Sequence, residues 1–348
     1  MKKLEWLVLS AILGWVGSAR PTDFPDRLAL VREFVNDRGN IEPLSFDRFR
    51  LRLGDLVGIG VAGPNSTELR QKVLRRRDEL NARRARLTVD ELLVLGECHY
   101  RLNDLEGAYS AWLEASVKDR RAYLPLSHLA MLKLIRGELA EARRYRLAAR
   151  DNRPREIPGL TPAQAEWFFR IEAFLDRLIS LRLAEQRASL ATEQYKPDDL
   201  FGIAALTAGE SFRPGPLDES ELSSLPTDAV PAVQLLLLWM PHDSRLYWLL
   251  GELYNALGQP SWALTILNEC VDPRRFHPET LRRHRQTLQE HFARIEEAEK
   301  EELARQDAVK RQSFFVAVAL GGALVGVLLV WQVRLLLRRY RQRKSTGR

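Results

Sequence analysis

Two cysteines in 348 residues are too few for a disulfide-built small domain or a four-cysteine zinc site. Glycine, at 20, and proline, at 17, show no excess, which excludes collagen-like and wholly disordered chains. The main body also lacks a charge bias. The net charge of +7 invites a polyanion partner. However, the last 15 residues hold Arg334, Arg338, Arg339, Arg341, Arg343, Lys344 and Arg348 and no acid, so the tail alone equals the net charge. Lys2 and Lys3 against Glu5 add one more at the other end, which leaves the rest near neutral. Basicity of the whole chain therefore gives no argument for nucleic acid.

Apolar runs stand at both ends. Trp6 to Val16 follows Lys2 and Lys3 and precedes Gly17-Ser18-Ala19. This order of basic start, apolar run and small residues is that of a secretory signal peptide, with cleavage expected after Ala19. Phe314 to Trp331 carries no charged residue. As a helix it measures about 27 Å, and about 30 Å with Gln332 and Val333, the thickness of a bilayer's hydrocarbon core. The expectation is one transmembrane helix over 313–333, with Trp331 at an interface. Glu296, Glu297, Glu299, Glu301, Glu302 and Asp307 offset the cations on the N-terminal side of this run. The basic tail, 334–348, is therefore expected in the cytoplasm and the body outside. Gly322 and Gly326 form a G-x-x-x-G strip, with Ala319 and Ala323 beside it, a candidate face for a homodimer through the span.

Between the ends, residues 20–87 are expected to be mainly helical. Leu28, Val31, Phe34 and Val35 mark a short helix stopped by Gly39. Phe49, Leu51 and Leu53 alternate with arginines, a strand signal within 41–63. Residues 66–87 have helical spacing at Leu69, Val73, Leu74, Leu80 and Leu87.

Three segments repeat. Aligned on Gly96, Ala130 and Gly251, they share Leu95, Leu129 and Leu250 one residue earlier. Asn103, Gly137 and Gly258 stand seven residues later, and Ala108, Ala142 and Ala263 twelve later. Ala115, Ala149 and Cys270 stand nineteen later. Small residues let two antiparallel helices approach, and Asn or Gly suits a left-handed turn between them. Thr88 and Glu91 form a capping box for the first hairpin, and Asp243 or Ser244 can start the third. This pattern resembles the tetratricopeptide repeat family over Thr88–Lys118, Tyr123–Arg150 and Asp243–Val271. Its closing proline appears only as Pro241 and, shifted, as Pro154.

The resemblance implies an all-α solenoid of helical hairpins acting as a scaffold or adaptor. Its groove would carry Leu93, Glu97 and Tyr100, then Ser127, Met131 and Leu134, then Trp248, Glu252 and Asn255. The lysine-and-asparagine clamp by which some members hold a C-terminal carboxylate is missing from these positions. Two hairpins fall in 88–156 and a degenerate half repeat plus the third hairpin in 227–276. Between them, 157–208 opens with Thr161-Pro162-x-Gln164 and a stripe of Trp167, Phe168, Ile171, Phe174, Leu175, Leu178 and Ile179. Residues 209–226, rich in proline, serine and acids, suit a surface loop. Residues 277–312, dense in mixed charge, suit a solvated stalk helix.

No motif argues for catalysis, a cofactor or a metal. Gly58, Gly60 and Gly63 match G-x-G-x-x-G, but Pro64 follows at once and no parallel-sheet pattern surrounds it, so a flexible loop is expected. His277, His284 and His291 lie seven apart, about 10.5 Å on a helix, too far to share one ion. Cys98 and Cys270 fit buried free thiols. The basic stretch from Arg70 to Arg86 lacks aromatics for stacking bases and suits a solvated face. Asn65-Ser66-Thr67 is a glycosylation sequon, of consequence only in a eukaryotic secretory pathway. Together these features indicate a single-pass protein of the cytoplasmic membrane that binds a protein or peptide in the cell envelope. The rivals are an envelope enzyme with an unrecognised site and a self-assembling membrane subunit.

Overall fold

The computed structural model describes residues 25–62, 67–203, 206 and 212–345, with the backbone alone for 316–323 and 336–345. The proposed leader, the sequon's Asn65 and Ser66, Gly63 and most of the basic tail's side chains lie outside the described residues. Among the described residues there is no strand, only a single bridge between Val35 and Ile41. The architecture is all-α, consistent with an α-solenoid.

The chain divides into two units, Met1–Thr287 and Leu288–Arg348. The first opens with α1 (Arg27–Arg32), α2 (Phe46–Gly60) and α3 (Glu68–Asn81). Three helical hairpins follow the repeat: α4 (Val89–Arg101) with α5 (Leu105–Lys118), α6 (Tyr123–Ile135) with α7 (Leu139–Asp151), and, further on, α11 (Ser244–Ala256) with α12 (Pro260–Val271). Between the second and third lie α8 (Pro162–Arg187), the short α9 (Glu219–Leu222) and α10 (Ala229–Trp239), whose eleven residues are all buried. The last helix, α13, spans Glu279–Ser345.

The hairpins form for the reasons their repeat suggests. Thr88 and Glu91 cap each other's backbone amides, and so do Thr161 and Gln164 at the start of α8. Asp243 caps α11 by accepting from the Leu246 amide at 3.0 Å. Each turn takes one left-handed residue: Asn103 at φ 63°, Gly137 at 73° and Gly258 at 76°. Gly96 faces the Trp112 indole so closely that a Cβ there would overlap the ring. At Gly251 the facing atoms are Leu267 Cδ1 and Ile266 Cγ2, one turn beyond the Ala263 that the repeat alignment points to.

Four expectations for the N-terminal region and the loop are corrected. Residues 46–60 form a helix, not a strand: Phe49, Leu53, Leu56 and Ile59 are buried while Leu51 is 69% exposed. The buried set recurs every three or four residues, and the arginines fall on the remaining faces. Gly58 and Gly60 lie within this helix, so the glycine motif is no loop there. In α1 the buried position is Leu30, whereas Leu28 is only half-buried. Residues 212–217 are no free surface loop; they pack on α11, as described below.

In the first unit the opening of α13 buries Leu281 and His284, so the stalk does not begin at 277. In the second unit residues 293–315 are exposed along the helix. Leu324, Val325, Val327–Trp331 and Val333 each leave more than half their surface open. Among the described residues no helix is long and apolar enough to cross a membrane, and 316–323, in the middle of the apolar run, are described by backbone alone. Helix formation over this stretch is shown; the span is not.

Candidate functional site: a cleft between hairpins

The nine residues assigned to a groove do not form one. All but Leu93 are buried. Leu93 and Glu97 line a small cavity of about 240 Å³ with Asp26, Leu28, Leu124 and His128. Ser127 belongs to a buried polar knot. Its hydroxyl donates to the Glu172 carboxylate at 2.8 Å, which also takes the Tyr123 hydroxyl at 3.1 Å and the guanidinium groups of Arg27 and Arg146. Met131 is plain core. Trp248 donates to Glu252 at 2.5 Å.

Around the third hairpin the chain fills its own groove. Asn255 donates to the Arg213 carbonyl at 2.9 Å and accepts from the Gly215 amide at 3.0 Å. The Leu217 amide donates to the Ala256 carbonyl at 3.0 Å. Phe212 stacks on His284, with centroids 4.0 Å apart. Thus Phe212–Leu217 lies as a strap against α11 and His284.

Tyr100 and Leu134 remain, and they line the cleft that is the best candidate. It has a volume of about 370 Å³ and is bounded by Leu56 of α2, the Asn103–Leu105 turn, Leu134 and Ile135 of α6, Met240–Arg245 and Phe276. A second cleft of about 510 Å³ shares His242 and Ser244 and continues past Arg50, Gly54, Tyr247, Glu269 and Arg274. The site therefore draws on the first two hairpins and the third at once.

Its walls are fixed by charge. Arg182 reaches Asp243 at 2.7 Å and Asp198 at 2.8 Å, and Arg245 reaches Glu185 at 2.5 Å and Asp198 at 2.9 Å. Burial raises the Asp243 carboxyl, but the Arg182 guanidinium and the Leu246 amide outweigh it and hold the group below the ordinary carboxylate range. The Tyr100 hydroxyl donates to the Trp239 carbonyl at 2.7 Å and Arg101 to the Leu238 carbonyl at 2.9 Å, anchoring the end of α4 to that of α10. The Arg274 guanidinium lies over the Tyr247 ring, 4.3 Å from its centroid, and donates to the Pro241 carbonyl at 3.1 Å. Partial burial and the charges of Arg274 and Arg101 push His242 down, which favours the neutral imidazole.

The repeat alignment overlooks Arg101, His242, Ser244 and Arg274, because the cleft forms at helix ends and connections and not on hairpin faces. One available signal is the polar triplet His242-Asp243-Ser244 between the apolar α10 and α11. Cys98 and Cys270 are free and buried, and burial pushes the Cys98 thiol up to about 12, away from thiolate chemistry. Among the described residues no group of three His, Cys, Asp or Glu side chains could hold a metal ion. No protein-family model matches the chain, and no curated protein matches it.

Proposed function

We propose that this protein is a membrane-tethered helical-repeat scaffold, similar to tetratricopeptide repeat proteins, that binds a protein partner through the cleft around His242. The observation that carries this reading is the makeup of the cleft. An apolar floor is edged by hydrogen-bonding groups drawn from separate hairpins, the composition of a recognition site. The roles of the nine groove residues pass to this cleft, because eight of them are buried.

Tethering rests on the second unit. A run of large apolar side chains open on a helix costs about 25 cal/mol for every Å² left in water. Insertion of 313–333 into a bilayer removes that cost, and the cationic tail then sits on the cytoplasmic side. The body faces the cell envelope, held there by a single pass.

The test is site-specific cross-linking in native membranes. A photo-reactive residue replacing Leu105, at the cleft, should capture a protein, and one replacing the exposed Leu147 should not. Equal labelling from both positions, or none from Leu105, removes the scaffold reading. Extraction of the protein by alkaline carbonate would remove the tether.

A further inference from the structure

Among the side chains that edge the joined clefts, the acceptors are used and several donors are not. Asp243 accepts from Arg182, from the Arg245 amide at 3.1 Å and from the Leu246 amide at 3.0 Å. Glu269 takes Arg50 and, at 2.5 Å, the Tyr247 hydroxyl. Arg274, by contrast, has no carboxylate partner among the described residues, only the Pro241 carbonyl. Nη2 of Arg101 is buried without a hydrogen-bond partner, although its Nε lies 3.7 Å from the Glu97 carboxylate. Among the described residues, neither the Ser244 hydroxyl nor the His242 imidazole has one.

We infer that the cleft receives an acidic side chain of the partner protein, a glutamate or aspartate carried on an apolar-flanked segment, with Arg274 and Ser244 as its contacts and His242 beside them. This deepens the scaffold reading and rests on it. Guanidinium and hydroxyl donors together match a carboxylate, and a charge-assisted bond is about twice as strong as a neutral one. The field has the right sign: Arg274 and Arg101 both disfavour a proton on His242, and a carboxylate entering there would oppose them. Asp243, the acid nearest in sequence, has its oxygens engaged by Arg182 and the start of α11. The floor of Leu56, Leu105, Leu134, Ile135 and Phe276 gives apolar neighbours of the acid a place to bury, which a free inorganic anion would leave unused.

The experiment uses the full chain in detergent micelles and two labelled peptides of equal length, one alternating leucine with glutamate and the other leucine with glutamine. The glutamate peptide should bind, and the glutamine peptide at least about tenfold more weakly. Arg274→Gln should weaken the glutamate peptide by about tenfold, Arg274→Lys by less, and Ser244→Ala should weaken it without loss of fold. Peptide binding should also raise the titration midpoint of the His242 imidazole in wild-type protein, a signal that a merely structural Arg274 would not give. Equal affinity for both peptides, or an unmoved His242, overturns the inference. So does inorganic phosphate binding where the glutamate peptide does not, which would mark a small-anion site. If Leu105 cross-links a partner that the glutamate peptide fails to displace, the acidic ligand falls while the scaffold stands. If no partner is captured, the scaffold itself falls.

Discussion

Nε2 of His128, on the second hairpin, lies 3.0 Å from Oε1 of Glu97, on the first. The other ring nitrogen, Nδ1, lies 2.7 Å from the Leu124 carbonyl. Both ring nitrogens face oxygen atoms, so the imidazole bridges the Glu97 carboxylate and the backbone of its own helix. A related pair stands in the third hairpin's layer, where His284 Nδ1 lies 2.8 Å from Glu252 Oε1 while its Nε2 is buried without a hydrogen-bond partner. Glu97 and Glu252 each follow the small glycine of their hairpin, and each reaches a histidine just over thirty residues on. These carboxylates link successive layers of helices.

Glu97 should therefore matter for stability. Burial raises its carboxyl, but the His128 hydrogen bond and the charges of Arg101, His128 and Arg27 outweigh that and leave it below its ordinary value. A depressed carboxyl contributes stability above the ordinary carboxylate range and loses it as pH falls through the lower, folded-state value. Glu97→Gln should cost about 3–5 kcal/mol at pH 7, since it leaves buried cations unpaired. Its melting temperature should fall less steeply than wild type on acidification below pH ~4.5, and parallel melting curves against pH would refute the assignment.

Gly96 and Gly251 occupy one repeat position but should differ in tolerance. The Trp112 ring facing Gly96 is fully buried and donates to the Leu93 carbonyl at 3.2 Å, so it has nowhere to retreat. Gly96→Ala should cost about 1–3 kcal/mol by thermal or urea unfolding. Gly251→Ala meets mainly the tip of Leu267 and should cost less, whereas Gly251→Leu should be at least as damaging as Gly96→Ala. Equal melting temperatures for Gly96→Ala and wild type would count against the close approach of α4 and α5.

The turns make a second contrast. Open space surrounds a Cβ at Gly137, but its φ of 73° penalises any side chain. Gly137→Ala should cost about 1–2 kcal/mol from backbone strain alone. At Asn103 glycine should be tolerated within about 0.5 kcal/mol, because both residue types accept a left-handed backbone. Chemical denaturation of the two variants side by side decides this.

Asn255 holds the strap at two backbone groups. Asn255→Ala should cost about 1–3 kcal/mol through the unpaired Arg213 carbonyl and Gly215 amide. The sharper readout is hydrogen exchange, which should accelerate at Gly215 well before α11 itself opens. Unchanged exchange at Gly215 would mean that the strap is held elsewhere.

For the proposed span, Gly322→Ile with Gly326→Ile should lower a membrane two-hybrid dimerisation signal while insertion stays intact. In the described part of this face, a Cβ at Gly326 meets nothing within 4 Å, so the substitution has room within the chain and any loss reports on a second copy. A wild-type signal no higher than a monomeric control ends the dimer idea. Independently, a reporter fused after Arg348 should work only if it is active in the cytoplasm.

Much of the fold is legible in short stretches of sequence. Capping at Thr88, Asp243 and Thr161 and left-handed turns at Asn103, Gly137 and Gly258 depend on residues a few positions apart, and their chemistry is local. The helix over 46–60 mimics a strand because Phe49, Leu51 and Leu53 sit in a short window where periods of two and of three to four overlap. Burial of Leu56 and Ile59 and exposure of Leu51 resolve it, and burial is a property of the neighbours.

The sequence alone determined the class, three hairpins and their turns, because amphipathic spacing and small-residue positions repeat along one chain. Tertiary structure alone decided which faces stay open. Glu97 and Glu252 look like solvent-facing polar residues until His128 and His284 arrive from the next layer. Asn255 looks like a ligand contact until the segment 212–217 folds over it. The cleft at His242 exists only because Arg101, Ser244 and Arg274, far apart in the chain, are brought to one edge. A carboxylate or amide has the same local signature whether it meets water, a partner or its own chain. What it meets is set by long-range packing, which no spacing rule encodes.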